Sequence, residues 1–186
     1  MNLREEMLTS HGSWFCAGLC FNGDEVLVVE VEVTTTIIPG DELPPAQQLK
    51  FPGGSMKINE SRRDTNPEDT LRAEFNEEVF SPEGGEITSW EPVCKYSSGN
   101  HSKYFSLVEI TGELRQVPLR EPDDTDEKGR SQKEVIGVPQ FMRVDRVARA
   151  IFHSHGKALA VLCEQRRHQS ANFYYALEIL KERGLA

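Results

Sequence analysis

The chain has 186 residues, 38% of them hydrophobic and 27% charged, an ordinary globular composition in a length that gives one domain a sizeable core. A formal charge of −9 and a pI near 5.1 argue against broad nucleic-acid binding, which needs clustered Lys and Arg, but not against small charged substrates whose phosphates are met by metal ions. No apolar run approaches the roughly 20 residues of a membrane span, and MNLREEMLTSHG lacks the apolar core of a signal peptide, so a single soluble, cytoplasmic domain over residues 1–186 is expected.

Ser13 to Phe21 and Glu25 to Val33 are apolar or alternating runs joined by Asn22-Gly23-Asp24, which predicts two antiparallel strands in a hairpin. In the second run Leu27, Val29, Val31 and Val33 share one face, while Val26 and Val28 share the other with Glu30 and Glu32, so that face is wet towards the strand's end. Four cysteines, Cys16, Cys20, Cys94 and Cys163, form no CxxC pair and no zinc-type spacing. They read as buried thiols in a reducing compartment. Thr34 to Gln48 holds three prolines and reads as a loop. Trp14, Phe21, Tyr104 and Phe105 could stack on a nucleobase, although strand placement favours the core for most of them.

The stretch from Phe51 to Phe80, FPGGSMKINESRRDTNPEDTLRAEFNEEVF, organises the rest. Leu49-Lys50-Phe51 is extended, and Gly53 and Gly54 after Pro52 permit close approach of the backbone to another group. Asn66 is a helix N-cap, Pro67 suits the first helical position, and Glu68 and Asp69 suit the positive end of the dipole, which predicts a helix from about Pro67 to Phe80. At roughly 100° per residue Leu71, Phe75 and Val79 form an apolar stripe, and Glu74, Glu77 and Glu78 fill the adjoining arc. Three neighbouring carboxylates raise one another's pKa unless a cation holds them ionised, and oxygen ligands at i, i+3 and i+4 suit Mg²⁺ or Mn²⁺. Spacing alone serves a solvated acidic face equally well.

With the glycine turn included, the stretch resembles the Nudix box, G-x5-E-x7-R-E-U-x-E-E-x-G-U, over about residues 54–80. Gly54 and Glu60 match the opening pair; Glu74, Phe75, Glu77 and Glu78 match E-U-x-E-E. Ser61 to Thr65 reads as a five-residue insertion. Ala73 stands where the family has arginine, Phe80 where it has glycine, and Lys57 where glutamate is frequent. Either Arg62 or Arg63 folds back to replace the missing guanidinium, or both are solvated.

Beyond the box, Ser81-Pro82-Glu83-Gly84-Gly85 reads as a helix stop and turn, followed by strands at about Glu86 to Tyr96 and Lys103 to Ile110. Arg120 to Lys133 is polar and without apolar period, an exposed loop or a substrate lid. Glu134 to Met142 resumes strand character up to Pro139, which confines its pairing. Val144 to Phe152 suggests a short helix, and Lys157 to Leu180 a longer one with a break near Gln169-Ser170. His153 and His155 form an H-x-H pair that invites a metal reading, although a turn between helices suits them better.

The resemblance implies an α+β fold, an α/β/α sandwich with a mixed β-sheet between helices. It implies hydrolysis of a pyrophosphate bond in a nucleoside diphosphate linked to another moiety, the class of nucleotide sugars, dinucleotides and nucleoside triphosphates. Metal, Mg²⁺ or Mn²⁺, would be held by Glu74, Glu77 and Glu78; Gly53, Gly54 and Glu60 would form the phosphate loop; and Glu134 resembles the distant glutamate that many members bring to the metal or the attacking water. The rival is a nucleotide-binding or regulatory module with weakened catalysis. The oligomeric state is left open, a homodimer included.

Overall fold

A computed structural model describes residues 1–38, 41–42, 46–120, 124–125 and 131–186. In chain order the elements are α1 (Leu3–Thr9), β1 (Ser13–Leu19), β2 (Phe21–Asn22), β3 (Glu25–Ile38), β4 (Asp41–Glu42), β5 (Ala46–Lys50), β6 (Gly53–Ser55) and α2 (Pro67–Glu78). There follow β7 (Phe80–Ser98), β8 (His101–Leu114), β9 (Leu119–Arg120), β10 (Asp124–Thr125), β11 (Ser131–Ile136), β12 (Gln140–Arg143), α3 (Val144–Ala150), α4 (His153–Arg166) and α5 (Ala171–Glu182).

The strands form a four-stranded mixed sheet, β6-β1-β8-β7, and an antiparallel sheet built on β3. In the mixed sheet β1 runs parallel to β8, from Ser13 opposite His101 to Leu19 opposite Leu107. Helices cover both faces. Alternation along β1 sends Trp14 and Cys16 into one apolar cluster with Met7 of α1 and Leu71, Phe75 and Val79 of α2. Ala17 and Leu19 enter the other, with Val26, Val28 and the inner faces of α3, α4 and α5. The architecture is the expected mixed α/β sandwich.

Several local expectations are corrected. The predicted hairpin shrinks to Phe21–Asn22 against Glu25–Val26, because the chain changes sheets at Cys20 and β1 never pairs with β3. The loop predicted over Thr34 to Gln48 is partly strand: β3 continues to Ile38, and Ala46–Lys50 pairs with it. Among residues 120–133, Arg120 lies in β9, Asp124–Thr125 in β10 and Ser131–Lys133 in β11; the rest of the suggested lid lies outside the described residues. The predicted turn at Ser81 to Gly85 is a wide bulge inside β7, where pairing jumps from Phe80↔Leu114 to Gly85↔Gly112. One strand predicted over Glu134 to Met142 is two, interrupted before and at Pro139. The N-terminal helix went unseen, although Asn2 and Glu5 form a reciprocal capping box, and its Met7 is fully buried. No helix among the described residues is long and apolar enough to cross a membrane.

Candidate functional site

The site is built on α2. The Asn66 side chain accepts from the Asp69 N–H at 3.0 Å, and Pro67 opens the helix. It ends at Glu78, two residues before the predicted Phe80, with Val79 as its cap. Leu71, Phe75 and Val79 are fully buried, so the inner stripe anchors the helix, each side chain contributing about 1.5–3 kcal/mol of apolar burial. This orientation sinks Glu74 and Glu78 (3% and 1% exposed) beside the core and leaves Glu77 at the rim, its side chain 41% exposed.

The glycine turn lies against those carboxylates. The Gly53 N–H donates to Glu78 Oε2 at 2.9 Å, and Lys50 Nζ donates to Glu78 Oε1 at 2.8 Å and to the Gly53 carbonyl at 2.9 Å. A Cβ at Gly53 would overlap the Cys16 carbonyl oxygen, and one at Gly54 would stand 2.5 Å from Glu74 Oε2. Glycine is therefore required at position 53, where the clash is with backbone, while a side chain at position 54 would displace the Glu74 carboxylate. Behind the helix end Arg115 donates to the carbonyls of Glu78 (3.0 Å), Gly137 (2.9 Å) and Val117, tying α2 to β11.

Arg62 folds back. Its Nε and Nη2 each reach Asp64 at 2.7 Å, while Nη1 reaches Glu74 Oε1 at 2.7 Å and Glu77 Oε1 at 3.3 Å. Asp64, 5% exposed, also accepts from the Lys57 N–H at 2.9 Å and the Thr70 hydroxyl at 2.8 Å. Lys57 Nζ closes the cluster at 3.1 Å from Glu77 and 3.6 Å from Glu74. The stretch Ser61 to Thr65 is thus no bare bulge, because two of its residues are built into the site. Glu60 is exposed and takes no part in these contacts; Asp64 is the buried acid of the loop. Arg63 is exposed, and Arg72 turns away to Glu68 and the Ile87 carbonyl.

Burial pushes the Glu78 carboxyl up to about 7, against the pull of Lys50 and the Gly53 N–H, with Glu74 adding only a small further rise. At Glu78 repulsion from a neighbouring glutamate is thus the least of the causes, where spacing pointed to it first. Burial works on Asp64 in the same sense, yet the Arg62 fork and the Lys57 and Thr70 donors hold it below the usual carboxylate range. Arg62 and Lys57 are both held protonated by the acids around them.

Among the described residues no three acidic, imidazole or thiolate side chains form a ready-made metal cluster. The donor chemistry nevertheless suits a hard cation, since Glu74, Glu77, Glu78 and the Gly53 carbonyl are all oxygen donors. The Lys50 ammonium is already seated on two of those oxygens, Gly53 O and Glu78 Oε1.

The cleft has two adjoining lobes that share Phe15, Lys50 and Glu134. One, of about 410 Å³, is lined by Gly53, Gly54, Lys57, Glu74 and Glu78. The other, of about 510 Å³, is lined by Gln48, Lys103, Phe152, Ser154 and His155. Glu134 lies within β11 opposite Val33 rather than before a strand, half-buried on the wall common to both lobes. Sequence reasoning missed Lys50, although it directly precedes the Phe51-Pro52-Gly53-Gly54 turn, and it missed Asp64, Phe15 and Phe152. Trp14, Tyr104 and Phe105 are core residues, and Phe21 is half-buried beneath Arg166. His155 neither makes a turn nor joins a metal cluster: it lies in α4, buried, its Nδ1 accepting from the Phe51 N–H at 3.0 Å. His153 is the exposed first residue of that helix. All four cysteines are free, and burial pushes their thiols up, Cys20 to about 11.

No family model and no curated protein matches the chain. Among solved structures it is similar to MutT, from work on Aliivibrio salmonicida and Vibrio cholerae, at 20% identity and a TM-score of 0.43, covering 75% of this chain and 86% of that one. It is also similar to a putative Nudix hydrolase family member from Chromobacterium violaceum (15% identity, TM-score 0.48, covering 95% and 94%) and to an ADP compounds hydrolase (13%, 0.40, covering 92% and 72%).

Proposed function

We propose that the chain, acting as one domain, hydrolyses a phosphoanhydride bond in a nucleoside diphosphate linked to another moiety, with Mg²⁺ or Mn²⁺. The observation that carries this reading is the meeting of two buried carboxylates, Glu74 and Glu78, with the Gly53-Gly54 backbone in one cleft that Glu134 also lines. Glu74, Glu77 and Glu78 would hold the metal, which when bound offsets diphosphate charge and acidifies water. Lys50 and Lys57 supply further positive charge beside the phosphates. In the reaction a water oxygen bonds to one phosphorus, the bridging P–O bond breaks with its electron pair leaving on the departing phosphate, and a glutamate takes the water's proton. A glutamate of the helix and Glu134, on the shared wall, are the candidates.

A specific observation favours a second reading, a binding module with little turnover: Glu74, Glu77 and Glu78 are each already paired with a Lys or Arg. The test is phosphorus NMR of products from dinucleotides, nucleotide sugars and nucleoside triphosphates with Mg²⁺, with Mn²⁺ and with chelator. Metal-dependent release of a nucleoside monophosphate supports the enzyme. Binding without any product supports the module.

A further inference from the structure

The second lobe has a lining of its own. Phe15 and Phe152 offer rings to it, Phe152 being 47% exposed, and between them lies His155, only 4% exposed. The imidazole is edge-on to Phe15 (centroids 5.5 Å), Phe105 (5.2 Å) and Phe152 (6.0 Å), so its orientation is fixed by packing. Because Nδ1 accepts from the Phe51 N–H, the neutral ring must carry its proton on Nε2. Burial first, then the charges of Lys50 and Lys103, keep it neutral, its pKa lowered to about 3. The Nε2–H finds no partner among the described residues, in a ring that lines the cavity. It is a donor held ready for a ligand.

The other polar groups of the lobe sharpen what that ligand is. Lys103 Nζ stands 5.9 Å from the Phe15 ring centre and 3.5 Å from the Ser154 hydroxyl, with no acid beside it among the described residues. Lys50 enters from the side shared with the carboxylate lobe. Gln48 can donate or accept, and only Glu134 is an obligate acceptor when ionised. A ring carbonyl meets donors here, and a ring N–H next to that carbonyl has Glu134 available. An exocyclic amine in place of that carbonyl would set donor against donor, and the neighbouring ring nitrogen would turn a lone pair towards the carboxylate. The two phenyl rings suit a flat π face, and about 510 Å³ admits a purine.

We propose that this lobe is a subsite for keto nucleobases, hypoxanthine, guanine or uracil, in preference to adenine and cytosine, with His155 Nε2–H as the donor to the ring carbonyl. This deepens the proposed function and rests on reading the cleft as a nucleotide site. The test uses nucleoside monophosphates, which have no phosphoanhydride to lose, so turnover cannot disturb it. Calorimetric titration compares inosine with adenosine monophosphate, and uridine with cytidine monophosphate, using ribose 5-phosphate as the base-free reference.

Inosine monophosphate should bind about tenfold or more tighter than adenosine monophosphate, since a buried unmatched polar group opposes the amino base. Phe152→Ala should bring it down to the level of ribose 5-phosphate. His155→Asn, which keeps an acceptor for the Phe51 N–H but lacks Nε2–H, should bring the inosine-to-adenosine ratio near one and leave ribose 5-phosphate unchanged. Should that variant fold poorly, the ¹⁵N signal of His155 Nε2 in the unaltered protein serves instead, shifting with inosine monophosphate and not with ribose 5-phosphate. Equal or tighter binding of adenosine monophosphate, or no nucleotide binding above the base-free reference, overturns the subsite. A keto preference in a protein that hydrolyses nothing would overturn only the enzymatic reading.

Discussion

The lobe beneath α2 is crowded with charge, Glu74, Glu77, Glu78 and Asp64 set against Lys50, Lys57 and Arg62, whereas the lobe beside it sets two phenyl rings and one fixed imidazole among separate polar groups. In the first, Glu74, Glu77, Glu78 and Asp64 each have a cationic partner, and rigidity comes from saturation. In the second, donors are left over, and rigidity comes from packing around His155. The difference teaches that one cleft can be ordered in two ways, by ion pairs beneath α2 and by aromatic packing beside it.

Four perturbations test this contrast, in falling order of expected effect. Arg62→Ala should destabilise the protein by about 3–5 kcal/mol, because it strands buried Asp64 and Glu74 without their guanidinium. Chemical denaturation measures this, and introducing Ala73→Arg should restore part of the loss. A fall under about 1 kcal/mol, as for a solvated pair, would mean that saturation is not what holds the lobe together.

Glu78→Gln comes second. It should lower turnover about a hundredfold or more, near 2.7 kcal/mol in barrier, with little change in the melting temperature, since burial already disfavours the charge. Steady-state kinetics on whichever substrate turns over reads it out, and near-normal turnover would remove Glu78 from the machinery.

The third perturbation is pH. His155 titrates at about 3 when folded against 6.5 when unfolded, so its contribution to stability is whole above 6.5 and is lost as pH falls. From pH 6.5 to 5 the loss is about 1.6 kcal/mol. Glu78 acts oppositely: its folded value near 7 lies above the ordinary 4.5, and its contribution is present below 4.5 and lost as pH rises through 7. Lys50, Lys103 and Glu134 surround the imidazole as well. The His155 part is therefore read as the difference between the protein and His155→Asn, whose stability should decline less steeply on acidification. Parallel curves for the two proteins would contradict a buried neutral histidine.

Last and smallest, Lys57→Ala removes a partly exposed ammonium at the rim, and its stability effect should stay within about 1 kcal/mol. A larger loss would show that the rim is as tightly coupled as the buried pairs.

How much of this was legible follows the same division. The charged lobe comes mostly from one continuous stretch, Lys50 to Glu78, where helix period and capping residues state which carboxylates share an arc. Even there the wheel could not say which glutamate would be wet, and a fixed spacing counted Arg62 and Asp64 as inserted material. The aromatic lobe draws Phe15, Gln48, Lys103, Glu134 and Phe152 from five separate segments. No local pattern distinguishes Phe15 from Trp14 beside it; the partner strand decides which faces the cleft. The same blindness produced the hairpin reading of Ser13 to Val33, since alternation reports that a segment is a strand but not to which strand it will bind. The layered sandwich was legible because it needs only the sum of apolar faces to be covered on both sides.

The parallel register of β1 on β8 has a consequence in time. Ser13 and His101 are 88 residues apart, and the other neighbour of β1, the short β6, supplies only three pairs. A chain emerging from the ribosome carries β1 without its main partner until more than half of the protein has been made, and contacts so distant close slowly. Meanwhile Trp14, Cys16, Ala17 and Leu19, all buried at the end, are apolar surface awaiting cover. The wall that holds Phe15 is thus completed late in synthesis.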